Sequence, residues 1–232
     1  MIISFSGLDG AGKTTQIVHL LNAYKKRGAR VGSIYSYLPD LRYHSLEDLH
    51  VLYNSLSCFD VIHIRYRLNS DKNCAIMHEL ESKLPPRPIL ASKAAIQGYL
   101  DHKQLSEIVL KPLIHNNKTL IFDRYYYDEL AFKYIYGCPD VILKTMYRKE
   151  PDSDLGFLVR ISSEECIKRN RFRPDSNVSI YQSHKSILTL SKRFDYIAER
   201  KKLIVLDGTQ DRETISNVVL KHVSLFEENN KG

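Results

Sequence analysis

The chain contains 232 residues, of which 43% are hydrophobic and 26% are charged, and its formal net charge is +7. This length and composition suit one globular domain with its own core, and we expect residues 1–232 to form a single domain. No apolar run reaches the roughly 20 residues of a membrane-spanning helix, and the N-terminal segment lacks the basic stretch of a signal peptide. We therefore expect a cytoplasmic protein without a membrane partner.

The cysteines and the net charge narrow the kinds of ligand. The four cysteines form no C-x-x-C pair, which favours free thiols over a zinc site. A strongly positive charge is typical of proteins that bind nucleic acids and of proteins that bind small phosphates. Because the sequence contains no recognisable nucleic-acid module, we favour a small-molecule phosphate acceptor and expect no nucleic-acid partner.

Short apolar runs alternate with amphipathic segments along the chain. The apolar runs predict five strands, at residues 2–5, 30–35, 119–122, 156–161 and 203–206. An irregular stretch at residues 36–88 carries helical pieces at residues 46–56 and 75–84, and residues 100–115 are amphipathic. This alternation predicts an α/β fold of three layers, a five-stranded parallel sheet with helices on both faces, that binds its ligands at the carboxyl ends of the strands.

A glycine-rich segment follows the first predicted strand. Residues 7–14 satisfy the pattern G-x-x-x-x-G-K-T in full, between an apolar strand and an amphipathic helix, and so predict a P-loop NTPase fold. Lys13 is expected to reach the outer phosphates of ATP, and the Thr14 hydroxyl is expected to bind Mg²⁺. The backbone of the loop should hold the phosphates, with contacts from Gly7, Gly10, Ala11, Gly12 and Thr15.

Asp9 is the unusual residue of this loop, because a carboxylate among phosphate-binding amides opposes a bound anion. One interpretation directs the Asp9 side chain towards a sugar hydroxyl of the acceptor. The other makes Asp9 a hydrogen-bonding brace of the loop. The sequence leaves both open.

Several motifs together resemble the thymidylate kinase family. Residues 7–16 look like the opening of these kinases, in which the P-loop carries an Asp and is followed by Thr-Gln. Further similar motifs are Lys111-Pro112, Asp123-Arg124-Tyr125 with Ala131-Phe132 after it, the arginine-bearing residues 165–173, and Phe194 with residues 206–210. The resemblance covers both ends and the middle of the chain.

The resemblance implies phosphoryl transfer from ATP to a nucleoside monophosphate, by positioning and charge neutralisation. Asp123 would hold Mg²⁺ or the acceptor, and Arg124 would bridge the acceptor and the transferred phosphate. The P-loop offers no arginine, so a lid at about residues 166–180 would supply Arg169 and Arg173 for catalysis and Arg171 for the nucleotide. A solvated helix face is the alternative for these arginines, and the family's usual homodimer is a further expectation.

The acceptor side departs from the family, above all in a variable segment at about residues 36–98. Tyr37-Leu38-Pro39-Asp40 replaces the motif Arg-Glu-Pro-Gly, whose arginine grips the acceptor phosphate. The second acceptor arginine falls on His102, the aromatic that stacks on thymine falls on Gly98, and a serine of the family falls on Asp128. The resemblance therefore maps the acceptor site to Asp9, Tyr37, His102, Arg124 and Asp128.

The missing acceptor arginine has candidate replacements in the variable segment, namely Arg42, Arg65 and Arg67. Residues 63–67 alternate basic and apolar side chains. This pattern suits a replacement contact with the acceptor phosphate and a half-buried strand or helix with a basic outer face equally well.

Three functions stay open on the sequence alone. The first expectation is a kinase that converts dTMP to dTDP. The second is a kinase on the same scaffold for another acceptor, such as a modified nucleotide, a nucleoside or a sugar phosphate. The third is a catalytically weak ATP-binding protein.

Overall fold

The computed structural model describes residues 1–66, 68–81, 87–170 and 184–230. The strands in these ranges are β1 (Ile2–Ser6), β2 (Val31–Ser33), β3 (Arg42–Tyr43), β4 (Val61–Arg65), β5 (Asn69–Ser70), β6 (Thr119–Asp123), β7 (Leu155–Arg160) and β8 (Ile204–Asp207). The α-helices are α1 (Lys13–Lys26), α2 (Leu46–Leu56), α3 (Asp71–Glu81), α4 (Pro88–Leu105), α5 (Lys111–His115), α6 (Tyr126–Ile135), α7 (Asp140–Met146), α8 (Ser163–Asn170), α9 (His184–Lys201) and α10 (Arg212–Asn229).

Six strands form one parallel sheet in the order β2-β4-β6-β1-β7-β8, and β3 pairs with β5 separately. In β1 every residue is buried, as an apolar run at the centre of a parallel sheet requires. Ile3 pairs with Ile121 of β6 on one side, and Ser4 pairs with Gly156 of β7 on the other. Helices pack around this sheet. The predicted α/β fold of the P-loop NTPase type is confirmed.

The predicted number of strands is corrected from five to six, because β4 lies inside the main sheet between β2 and β6. Val61, Ile62, His63 and Ile64 are all buried. The sequence suggested a half-buried element with a basic outer face, since His63 and Arg65 alternate with apolar residues. In the structure His63 is only 7% exposed, and the ring of Tyr35 packs against it with 5.3 Å between the ring centroids.

The variable segment contains more regular structure than its composition suggests. Helix α2 begins and ends where the sequence predicts, and Ser45 caps it by accepting a hydrogen bond from the backbone N–H of Asp48. The predicted helix at residues 100–115 is continuous from α4 through a π-helical turn at residues 106–110 into α5. Among the described residues no helix is long and apolar enough to cross a membrane.

The parallel sheet collects the carboxyl ends of its strands along one edge. β1 leads into the glycine loop, β4 ends at Arg65, β6 ends at Asp123 and β8 ends at Asp207. Residues far apart in sequence therefore meet at this edge, which is where open α/β sheets bind their ligands.

Candidate active site

The glycine loop between β1 and α1 adopts a backbone conformation that favours glycine. Gly7 has φ +135°, and a Cβ there would lie 2.4 Å from the carbonyl oxygen of Val159 on β7. Gly12 has φ +103° and immediately precedes the first turn of α1. Gly10 and Ala11 lie between them, and Thr14 and Thr15 belong to the first turn of the helix. The loop therefore has the strand–loop–helix context that a phosphate-binding loop requires.

Lys13 is a buried cation held by backbone oxygens. Its Nζ donates to the carbonyls of Gly7, at 2.9 Å, and Leu8, at 2.8 Å. Burial, followed by the nearby charge of Arg124, lowers the pKa of Lys13 to about 8. An anion bound at the loop would restore a charged partner and raise this pKa again.

Thr14 and Asp123 bring two oxygen ligands together across the edge of the sheet. The Thr14 hydroxyl donates to Oδ2 of Asp123 at 3.3 Å. Oδ1 of Asp123 is buried and has no hydrogen-bond partner among the described residues. A hydroxyl and a carboxylate oxygen are ligands that Mg²⁺ prefers, so these two predicted metal residues fit the ion.

Arg65 is a third member of this cluster. Its Nη1 lies 2.9 Å from Oδ2 of Asp123, which is the same oxygen that Thr14 contacts. Burial acts to raise the pKa of Asp123, but the charges of Arg65 and Lys13 outweigh it and hold this pKa below the usual value. Asp123 is therefore a buried carboxylate surrounded by cations.

Arg124 joins the P-loop to the end of β6. Its guanidinium pairs with the carboxylate of Asp9 and donates to Oδ1 of Asp128 at 2.9 Å. It also lies over the ring of Phe132, 4.9 Å from the centroid. Although burial acts against the charge, Asp9 and Asp128 raise the pKa of Arg124. Two carboxylates therefore fix one arginine beside the phosphate loop.

Asp128 lies beneath Arg124 rather than at the surface. It is 2% exposed, and its Oδ2 accepts from the Ser6 hydroxyl at 2.6 Å and from the backbone N–H of Tyr125 at 3.1 Å. Burial raises the pKa of Asp128 in spite of the neighbouring Arg124 charge. The structure thus gives Asp128 a clear part in holding Arg124, while its predicted contact with the acceptor stays a prediction.

Arg169 connects three segments of the chain at the end of α8. Its Nη1 donates to the carbonyl of Gly10 and its Nη2 to the carbonyl of Gly208, each at 3.1 Å. Its Nε donates to Glu165 at 2.6 Å. The guanidinium therefore positions the P-loop against the loop after β8, and its predicted part in catalysis stays a prediction.

The backbone of Asp9 has its own partners on α8. Its carbonyl oxygen accepts from the Cys166 thiol and from the Asn170 side-chain amide, each at 3.2 Å. The side chain of Asp9 is 46% exposed while it pairs with Arg124. These contacts brace the loop, as one interpretation of Asp9 expects, while the contact of its carboxylate with a sugar hydroxyl of the acceptor stays a prediction.

The remaining predicted acceptor residues lie in different environments. Tyr37 is 42% exposed, next to the 3-10 turn at residues 34–36. His102 is 5% exposed, and its ring stacks on that of Tyr66 with 4.3 Å between the ring centroids. Its Nε2 lies 3.0 Å from Oε2 of Glu150. A Cβ at Gly98 would lie 3.4 Å from the side chain of Asn73. The structure therefore does not bring Tyr37 and His102 into the cluster around Arg124.

Sequence reasoning found part of this site and missed part of it. Arg67, Arg171, Arg173 and most of the predicted lid lie outside the described residues. The ion pair of Arg65 with Asp123, the clamp made by Arg169 and the contacts of Cys166 and Asn170 were not predicted. Arg65 was expected only as one of three candidate replacements for the missing acceptor arginine, in a segment that alternates basic and apolar side chains.

Comparisons with known proteins agree with the family that the sequence motifs resemble. The family model described as thymidylate kinase matches residues 76–219, which is well over half of the chain. The probable thymidylate kinase of Sulfurisphaera tokodaii is 24% identical over 214 residues, covering 92% of this chain and 90% of the relative. The thymidylate kinases of Halothermothrix orenii and Fervidobacterium nodosum are each 24% identical, covering 96% and 95% of this chain and 96% and 97% of their own lengths.

The matched segment and the relatives also locate the divergence. The match to the family model begins at residue 76, so most of the variable segment precedes it, whereas the relatives align along nearly the whole chain. One conclusion follows from the phosphate loop, from the adjacent residues Asp123 and Arg124, and from the extended match. The chain belongs to the thymidylate kinase family and is a nucleoside-monophosphate kinase.

Proposed function

We propose that the protein transfers the terminal phosphoryl group of ATP, bound with Mg²⁺, to dTMP. The observation that carries the proposal is the ion pair between Asp9 and Arg124, which joins the phosphate loop to the acceptor side of the sheet. A donor phosphate on the loop and an acceptor phosphate on Arg124 would then be neighbours. The relatives are named thymidylate kinases, which supports dTMP as the acceptor.

The donor side holds ATP through the P-loop backbone and Lys13. Lys13 is already buried among backbone oxygens, and a γ-phosphate would replace those weak partners with a full negative charge. Thr14 and Asp123 would hold Mg²⁺, which neutralises charge on the phosphates. Little covalent chemistry is required of the protein, because phosphoryl transfer depends on positioning and electrostatic stabilisation.

The acceptor side depends on Arg124. Its guanidinium is fixed by Asp9 and Asp128, so little side-chain entropy is lost when a phosphate binds. An arginine can donate to two phosphate oxygens at once, which orients the acceptor for in-line attack.

The test is ADP release in a coupled assay, with ATP, Mg²⁺ and a panel of acceptors. The panel contains dTMP, dUMP, the other common deoxynucleoside monophosphates, thymidine and several sugar phosphates. We expect the highest kcat/KM for dTMP. A tenfold preference for another acceptor would reject dTMP as the substrate.

A second candidate is a nucleoside monophosphate with a different base. The observation that favours it is the environment of His102, which is buried under Tyr66 and paired with Glu150 where the resemblance places the second acceptor arginine. The same panel separates the two candidates. If the enzyme prefers a different base, kcat/KM for dTMP should be lower than kcat/KM for another monophosphate of the panel.

A further inference from the structure

Arg65 and Asp123 face each other across two neighbouring strands. They are paired in register at the carboxyl ends of β4 and β6, and Nη1 of Arg65 lies 2.9 Å from Oδ2 of Asp123. The side chain of Asp123 is 4% exposed, whereas that of Arg65 is 26% exposed. The carboxylate is therefore fixed in the interior, and the guanidinium has room to move.

Two cations require the same carboxylate. Asp123 with Thr14 fits Mg²⁺, yet Arg65 contacts the oxygen that Thr14 contacts. A divalent ion at Asp123 would repel the neighbouring guanidinium in this poorly solvated place. The pair seen in the structure therefore loses stability when the metal binds.

Arg65 differs in this respect from Arg124. Arg124 is balanced by the two carboxylates of Asp9 and Asp128, neither of which fits the metal site. Arg65 pairs with Asp123. When Asp123 takes part in holding a metal ion, Arg65 loses its carboxylate partner. A newly bound anion would then stabilise Arg65 more than Arg124.

The position of Arg65 suits an acceptor phosphate. Arg65 ends β4 and pairs with Asp123, and Arg124 directly follows Asp123 in the chain, so the two arginines lie at the same edge of the sheet. Arg42, a rival from the same variable segment, is exposed and belongs to the separate β3–β5 sheet. Arg65 is thus the described arginine of this segment that lies at the site.

We propose that Arg65 exchanges partners during the reaction cycle: it pairs with Asp123 in the free protein and with the acceptor phosphate once Mg²⁺ and nucleotide are bound. Binding of Mg²⁺-nucleotide and binding of the acceptor then favour each other, and by linkage each changes the affinity of the other by the same factor. The acceptor half of this proposal rests on the proposed function. The metal half rests on Asp123 and Arg65 alone.

The first experiment measures the metal half by titrating Mg²⁺ into protein with a fluorescent ADP analogue. Arg65→Gln should lower the Mg²⁺ concentration at half-saturation about fivefold, because it removes the competing cation. Arg42→Gln is the matched control and should leave that concentration unchanged. A higher Mg²⁺ concentration at half-saturation in Arg65→Gln than in the wild type would overturn the exchange. Arg65 would then be a residue that merely orients Asp123.

The second experiment measures acceptor binding by calorimetry, using the monophosphate with the highest turnover in the panel. In the wild type, Mg²⁺-ADP should tighten acceptor binding at least fivefold, within the usual range of coupling factors. Arg65→Gln should weaken acceptor binding about tenfold and bring the coupling factor close to one. An unchanged coupling factor in Arg65→Gln would reject the exchange.

The two outcomes separate this proposal from the proposed function. If no nucleoside monophosphate gives turnover, the proposed function fails, and the Mg²⁺ titration still decides whether Arg65 competes at Asp123. If dTMP gives turnover but Arg65→Gln weakens both ligands, the function stands and the exchange fails. Thermal denaturation of each variant shows that the fold is intact.

Discussion

The donor and acceptor sides of this site use different kinds of interaction. On the donor side, backbone groups dominate: glycine conformations shape the loop, and Lys13 and Arg169 bond to carbonyl oxygens. On the acceptor side, side chains pair with side chains, as Arg65 with Asp123 and Arg124 with Asp9. A backbone site tolerates little sequence change, whereas a network of side chains can be rebuilt for another ligand. The two sides should therefore fail in different ways when a residue is replaced: a side chain at Gly7 would obstruct the loop, whereas loss of one charged partner would leave Asp128 buried without compensation.

The largest effect is expected from Arg124→Gln on the acceptor side. It leaves the buried carboxylate of Asp128 without its charged partner, and loss of one member of a buried pair costs roughly 3 to 5 kcal/mol. Urea unfolding at pH 7 measures this loss. Arg30→Gln is the control, because its pair with Asp60 is exposed to solvent and should contribute little to stability. Equal losses in both variants would show that the Arg124 network is not a buried one.

Lys13→Ala tests the donor side. It removes the cation nearest to the expected γ-phosphate, and we expect kcat to fall by roughly 10²- to 10³-fold while the fold stays intact. Lys26→Ala, on an exposed position of the same helix, should retain wild-type turnover in the ADP-release assay. Near-normal turnover of Lys13→Ala would reject the phosphate-binding role of the loop.

Arg169→Ala distinguishes positioning from catalysis. Because Arg169 holds the carbonyls of Gly10 and Gly208, its removal should raise the KM for ATP roughly tenfold and change kcat less. Lys168→Ala on the same helix is the control. A fall in kcat at constant KM would instead support the catalytic role predicted from the sequence.

Arg173→Ala, predicted from the sequence alone, should lower kcat more than the affinity for ATP.

The smallest expected effect is a pH dependence from Lys13. The folded protein lowers the pKa of Lys13 to about 8 from 10.5, so between these values the unfolded chain binds more protons. The free energy of unfolding should therefore rise with pH in this window, by about 1 kcal/mol between pH 8.5 and 9.5, relative to Lys13→Met. The difference between the two proteins in urea unfolding measures it. A falling difference would mean that Lys13 has a charged partner in the free protein.

Local patterns predicted most of the fold and the donor side. The P-loop follows from consecutive residues, and the bounds of α2 follow from the cap at Ser45 and the apolar spacing after it. The resemblance to the thymidylate kinase family placed Asp123 and Arg124 at the site, and the shared edge at the carboxyl ends of parallel strands is consistent with that position. For these parts, no knowledge of the order of the strands was needed.

The order of the strands is what the sequence could not supply. That β4 lies next to β6 is a long-range fact, and it alone places Arg65 against Asp123. The alternation at residues 63–67 was also compatible with a basic outer face, yet His63 is buried. The partners of Arg169 and Asp9 are likewise brought together from distant segments, at Gly10, Cys166 and Gly208.

The bracing of the P-loop has a consequence for how the chain folds during synthesis. The loop is made first, but the residues that hold its carbonyls, Arg169 and Asn170, emerge much later, and the loop at Gly208 later still. Such non-local contacts form only after most of the chain is available. ATP would then bind the completed domain in preference to a nascent fragment, and its binding energy would stabilise only chains that have finished folding.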